Sequence, residues 1–103
     1  MRVAVTSQNF RTVTGHAGKT RRFLIYEVDA GGARETGRLD LPKQLSFHEF
    51  QGDVHPIDGV DLLVTGGCGE GFRQKMARRG IRVVVTDLTE PTAAALAACQ
   101  ADR

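Results

Sequence analysis

The sequence predicts an α/β fold, with a mixed sheet of about five strands and helices packed against it. Two observations carry this. Arg22 to Val28 (RFLIYEV) is dense in aromatic and β-branched residues, and a glycine turn plus a second alternating stretch follow it, which reads as an antiparallel hairpin. Further on, the apolar runs Val60 to Thr65 and Ile81 to Thr86 flank a segment with helical spacing. Strand, helix and strand in that order form a right-handed unit with parallel strands. One sheet that holds both the hairpin and the unit is therefore mixed.

Along the chain, Arg2-Val3-Ala4-Val5-Thr6 reads as a short strand that ends in the turn-forming cluster Ser7-Gln8-Asn9. Phe10 to Thr20 is polar, contains glycine and shows no period, so it is a loop of a length that often carries function. Arg22 to Val28 is the clearest strand. Ala30-Gly31-Gly32-Ala33 turns the chain into Arg38-Leu39-Asp40-Leu41, an edge strand that Pro42 stops. Gln44 to Ile57 is irregular: Phe47, His48 and Phe50 have the spacing of a short helix, and Gly52 and Pro56 break it. After the Val60 to Thr65 strand, Gly66 to Gly71 forms a tight turn. A short helix over Phe72 to Arg79 places Phe72 and Met76 on one face, with Gly80 as its stop. Ile81 to Thr86 is the last strand. Thr89 caps the final helix, Pro91 sits in its first turn, and Ala93, Leu96, Ala97 and Gln100 share its buried face.

A chain of 103 residues and 11.2 kDa suits a single domain, here spanning residues 1–103, and is too short for a two-domain dehydrogenase, a kinase or a (β/α)8 barrel. Fourteen Lys+Arg against twelve Asp+Glu leave a formal charge of +2, too weak to argue for a nucleic-acid partner. No apolar run approaches the roughly 18 residues of a membrane helix. Nor does an apolar signal segment open the chain. Cys68 and Cys99 form no C-x-x-C pair, which favours a reduced, cytoplasmic setting.

Several motifs invite a chemical reading. Gly18-Lys19-Thr20 has the end of a phosphate-binding loop, but the pattern needs a glycine where Val13 stands, and a strand rather than a helix follows. Gly66-Gly67-Cys68-Gly69-Glu70-Gly71 fits no frame of the dinucleotide pattern, yet it lies between strand and helix. Two readings stand for it. Its glycines let a ligand approach the backbone at a helix start that suits an anion, or they only let helix pack on strand. Cys68 within it is a thiolate ligand, a reactive thiol or a small packing residue. Cys99, among alanines, reads as packing. His16, in Thr14-Gly15-His16-Ala17-Gly18-Lys19, has little to pack on locally and is a ligand candidate. Lys19, Arg21 and Arg22 then neutralise an anion or form a solvated basic face. His48 and His55 flank Glu49 and Asp53 without the H-E-x-x-H spacing, which leaves at most a labile surface metal site. No Ser/His/Asp order and no paired carboxylates point to a hydrolase.

Taken in order, Val3-Ala4-Val5-Thr6-Ser7, Gly15-His16-Ala17-Gly18-Lys19 before Phe23-Leu24-Ile25-Tyr26, Asp61 to Gly69, Gly80-Ile81-Arg82-Val83 and Thr89-Glu90-Pro91 resemble the dinitrogenase iron–molybdenum cofactor-binding domain family over nearly the whole chain. That family contains nitrogenase cofactor carrier and accessory proteins. The resemblance implies an RNase H-like motif with a five-stranded mixed sheet, without nuclease activity. It implies non-enzymatic binding or transfer of an anionic cluster, the iron–molybdenum cofactor or an iron–sulfur precursor. His16-Ala17-Gly18-Lys19 matches the family's first-loop pattern, so His16 inherits the role of candidate ligand. Cys68 is added on its local chemistry alone. The expected site is His16 and Cys68 as metal ligands, with Lys19, Arg21, Arg22, Gly67 and Gly69 around the anionic cargo. Expected partners are metallocluster biosynthesis proteins or apo-nitrogenase, with neither nucleic acid nor membrane. The chain is expected to be a monomer, or a weak homodimer paired at the edge near Leu39. Two rivals stand beside this reading: a cofactor-free interaction or regulatory module on the same fold, and a small thiolate enzyme using Cys68, for which no base is identifiable.

Overall fold

The computed structural model describes residues 1–101. Residues 102 and 103, the end of the expected domain, lie outside the described residues. β1 (Arg2–Thr6) is the centre of the sheet, because Val3, Ala4, Val5 and Thr6 are all fully buried and no face of it can be left to solvent. It pairs antiparallel with β2 (Arg22–Asp29), Val3 opposite Tyr26, and parallel with β4 (Leu62–Thr65), Val3 beside Leu62. β3 (Gly32–Asp40) closes the hairpin on β2, and β5 (Arg82–Val85) runs parallel to β4. The five-stranded order is β3-β2-β1-β4-β5, a mixed sheet flanked by two helices among the described residues. This is the RNase H-like arrangement that the sequence led us to expect.

The strand period of two sorts the core into two layers. Val3, Val5, Leu24, Tyr26, Val28, Leu62 and Val64 face α2 (Pro91–Ala101). Ala4, Phe23, Ile25, Leu63 and Val83 face α1 (Glu70–Arg78) and the irregular segment 41–60. Each large side chain buried this way contributes roughly 1.5–3 kcal/mol.

β3 begins at Gly32, earlier than the expected Arg38 start, and its register on β2 shifts between Ile25 and Tyr26. Its sequence GARETGRLD lacks the apolar alternation of a covered strand because it lies at an edge, where charged residues are tolerated. Gly32 at φ 125° makes the turn that a side chain would oppose.

α1 starts at Glu70 rather than Phe72, with Gly69 as its N-cap. Phe72 and Met76 face the core as expected. At its end Gly80 takes φ 75°, and the Ile81 amide reaches back to the Met76 carbonyl at 2.9 Å, the pattern that glycine permits after a helix.

α2 corrects two expectations. Its buried residues are Pro91, Ala94, Ala95, Ala98 and Cys99; Ala93 and Gln100 are exposed, and Leu96 and Ala97 are half-buried. A helix with alanine on every side has no face that sequence can single out, and close approach to the sheet selects the smallest residues. The cap is also one residue later than expected. The Glu90 carboxylate accepts from the Ala93 amide, while Thr89 contributes its carbonyl to the Val13 amide at 2.9 Å.

The segment between β3 and β4 has no long element, as expected, only the 3₁₀ turn Lys43–Leu45. It is nonetheless anchored. Phe47 and Ile57 are buried, and the Phe47 ring stacks on His55 at 4.1 Å and meets Phe72 edge-on at 5.7 Å. His55 is 2% exposed, which removes it from any surface metal site. Its Nδ1 accepts from the Ile57 amide at 3.0 Å, so the proton sits on Nε2, which donates to the Leu45 carbonyl at 2.7 Å. No helix among the described residues is long and apolar enough to cross a membrane.

Candidate functional site

The site grows from the C-terminal ends of β1 and β4, adjacent parallel strands whose connecting loops open on the same side. Thr6 and Thr65 end these strands with fully buried hydroxyls. The loop after β1 is pinned to them. The Thr14 carbonyl accepts from the Gly66 amide at 3.0 Å and lies 2.6 Å from the Thr6 hydroxyl and 3.2 Å from the Thr65 hydroxyl. Further along, the Ala17 amide donates to the Gly67 carbonyl at 3.2 Å. The first loop and the glycine turn thus lie backbone against backbone. A β-carbon added to Gly66 would sit 3.4 Å from the Thr14 carbonyl, and one added to Gly15 would sit 3.6 Å from the Gly67 nitrogen.

Between these tethers, His16 is exposed and left-handed, at φ 53° and ψ 51°. Such a conformation costs a non-glycine residue of order 1–3 kcal/mol and concentrates at functional positions. Three features of the succeeding residues hold it: the 3₁₀ turn Ala17–Lys19, the buried Ala17, and the Thr20 hydroxyl directed at the carbonyls of Gly15 and His16 at 3.3 and 3.2 Å. The imidazole is thereby turned outward on a backbone that is fixed from both sides.

The result is a cavity of about 510 Å³. Five glycines, Gly15, Gly18, Gly66, Gly67 and Gly69, form its walls, and His16, Lys19, His48 and Cys68 supply its side chains. Cys68 is half-buried against the core beside α1, whose N-cap Gly69 offers no side-chain hydrogen bond to the first-turn amides. Among the described residues the imidazoles of His16 and His48 and the thiol of Cys68 have no hydrogen-bond partner, so their lone pairs are not engaged by the protein. Among the described residues neither Cys68 nor Cys99 takes part in a disulfide. No three imidazole, thiol or carboxylate groups among the described residues are gathered closely enough to hold a single ion. An adjoining hollow of about 280 Å³ shares Lys19 and His48 and adds Arg21, Lys43, Ser46 and Glu49. A groove of about 400 Å³ between α1 and residues 47–53 carries cations and phenyl rings but neither thiol nor imidazole.

The structure therefore brings together His16, Lys19, Gly67, Cys68 and Gly69, and places Arg21 next door. Arg22 does not join them. Strand alternation sends it to the same side as Leu24 and Tyr26, where it pairs with Asp40 at 3.2 Å and lies over the Phe10 ring at 5.3 Å. Sequence reasoning did not place His48 in the site. Its amide donates to the Gly18 carbonyl at 2.6 Å, a contact between distant stretches that no local pattern announces.

The family model described as "Dinitrogenase iron-molybdenum cofactor" matches residues 1–102. The chain belongs to this family. Among solved structures, the crystal structure of PH0822 has a TM-score of 0.67 at 20% identity, covering 100% of this chain and 93% of that one. At that identity the likeness shows the fold alone. No curated protein matches the chain in sequence. Within the dinitrogenase iron–molybdenum cofactor family, this member lines one cavity with both its histidine-containing first loop and its glycine turn.

Proposed function

We propose that this chain binds, and passes on without chemical change, an anionic iron–sulfur-type metallocofactor: the iron–molybdenum cofactor or a precursor cluster. The observation that carries the reading is the cavity in which His16 and Cys68, whose donor atoms no protein group occupies, face the same space beside Lys19. Neutral imidazole and thiolate are suitable ligands for iron. A preassembled cluster already holds its metals through sulfide, so it needs few protein ligands, and sparse ligation lets it leave. Lys19 and the amides of Cys68 and Gly69 at the start of α1 offset the negative charge, with Arg21 nearby. Donors and recipients of such cargo are metallocluster biosynthesis proteins or apo-nitrogenase. Two cysteines outside any disulfide support a reducing, cytoplasmic setting.

The test is anaerobic titration of the protein with isolated iron–molybdenum cofactor, followed by visible absorption and gel filtration. Colour that co-elutes with the protein and falls in His16→Ala and Cys68→Ala is expected. If both variants retain colour like the parent, the ligand assignment is wrong. If the parent itself retains none, the chain is instead a cofactor-free interaction module on this fold.

A further inference from the structure

His48 enters the cavity from the segment between β3 and β4, a third stretch of chain besides those of His16 and Cys68. Its backbone position is set on each side. The preceding Phe47 is wedged between His55 and Phe72, and Ser46 closes a turn by accepting from the amides of Glu49 at 3.0 Å and Phe50 at 2.8 Å. The His48 amide is then tied to the Gly18 carbonyl at 2.6 Å, within the loop that carries His16. The contrast with His55 is instructive. There both ring nitrogens are used by the backbone, so the residue is structural. At His48 the backbone is fixed, the side chain is exposed, and among the described residues neither ring nitrogen has a partner. An imidazole on a fixed backbone with its lone pair unengaged, lining the same space as a second imidazole and a thiol, has the chemistry of a metal ligand.

We propose that His48 is a third ligand-bearing residue of the cargo cavity, binding iron–sulfur-type cargo from a stretch of chain separate from the first loop and the glycine turn; this rests on the function proposed above. Ligands on three independent stretches hold a multi-metal guest at separate points. His48 also lines the adjoining basic hollow, so it stands at the junction between the two spaces.

The experiment uses the full chain and isolated iron–molybdenum cofactor under anaerobic conditions, comparing the parent, His48→Ala and His16→Ala by retained colour and by the electron paramagnetic resonance signal of the bound cofactor. His48→Ala removes only an exposed side chain and leaves the amide bond to Gly18 intact, and an unchanged melting temperature checks this. The expected result is a fall in affinity of about tenfold or more, since loss of even an outer partner of a metal ligand costs roughly 10–100-fold. Added free imidazole should restore part of the binding and shift the resonance signal back towards the parent's. Parental binding by His48→Ala, alongside loss in His16→Ala, overturns the assignment and leaves the proposed function standing. Weakened binding that imidazole does not restore also overturns it, because His48 then acts only by shaping the loop. No retention by the parent overturns both.

Discussion

The hydroxyls of Thr6 and Thr65 meet at 2.8 Å between the ends of β1 and β4, and both are turned onto the carbonyl of Thr14. Each hydroxyl has one proton to give, so the pair works as a relay in which one donates across to the other and the other donates onward. The Thr65 oxygen also lies 3.2 Å from the Gly67 carbonyl. Thr65→Val keeps the shape and breaks the relay beneath both walls of the cavity. We expect a loss of about 1–3 kcal/mol in urea denaturation, the cost of leaving buried polar groups without partners. Amide exchange at Gly66, whose N–H donates to Thr14, should quicken. A Thr65→Val protein with the parental midpoint and exchange would show that the relay does not hold the loop.

His55 makes stability depend on pH. Burial, aided by the nearby Arg79 charge, pushes its imidazole below the ordinary 6.5, against the opposing pull of the Leu45 carbonyl. Above about pH 6.5 the ring is neutral both folded and unfolded, and its contribution is complete. As pH falls below that value the unfolded chain takes up the proton first. Stability therefore drops until the folded ring is protonated as well, when Nδ1 can no longer accept from Ile57. The urea midpoint should decline as pH falls below about 6.5 and level off once the folded ring is protonated too. In His55→Phe that part of the decline should vanish, at a constant cost of about 1–3 kcal/mol for the two backbone groups left unpaired. An equally steep decline in the variant would assign the effect elsewhere.

Gly67 separates folding from binding. A β-carbon there meets no atom within 4 Å, and its φ is not among the positive values, so alanine fits without strain. The added methyl group stands at the wall of the cavity. Gly67→Ala should keep its thermal midpoint, with a change within about 0.5 kcal/mol. It should still reduce retention of isolated iron–molybdenum cofactor on gel filtration. Full retention would mean that the cargo does not approach this wall.

Ala95 tests how closely α2 lies on the sheet. It is fully buried in the layer that contains Val3, Val5 and Leu62. Ala95→Leu should cost about 1–3 kcal/mol through overpacking. Leucine at the exposed Ala93 should cost far less. Equal effects at the two positions, read by chemical denaturation, would contradict the observed face.

These contrasts also mark what sequence could reveal. β1, β2 and β4 were legible because dense β-branched and aromatic residues have few other uses. Phe72 and Met76 identified the buried side of α1. The alanines of α2 pointed nowhere, and the charged run of β3 concealed its length because an edge strand need not alternate. Within the site, His16 and the glycine turn stood out as short patterns. His48 did not, because its significance depends on Gly18, a contact made only in the folded chain. Arg22 was grouped with Lys19 by proximity in sequence, while strand alternation sends it to the other side of the sheet.

The cavity walls come from residues 15–19, 48 and 66–69. During synthesis the first of these leaves the ribosome well before the last, and the parallel partner that draws the far wall into place is β4. A growing chain that stops short of the glycine turn has His16 and His48 but no enclosure around them. The enclosure is thus completed late in translation, only once β4 and the glycine turn that follows it have emerged.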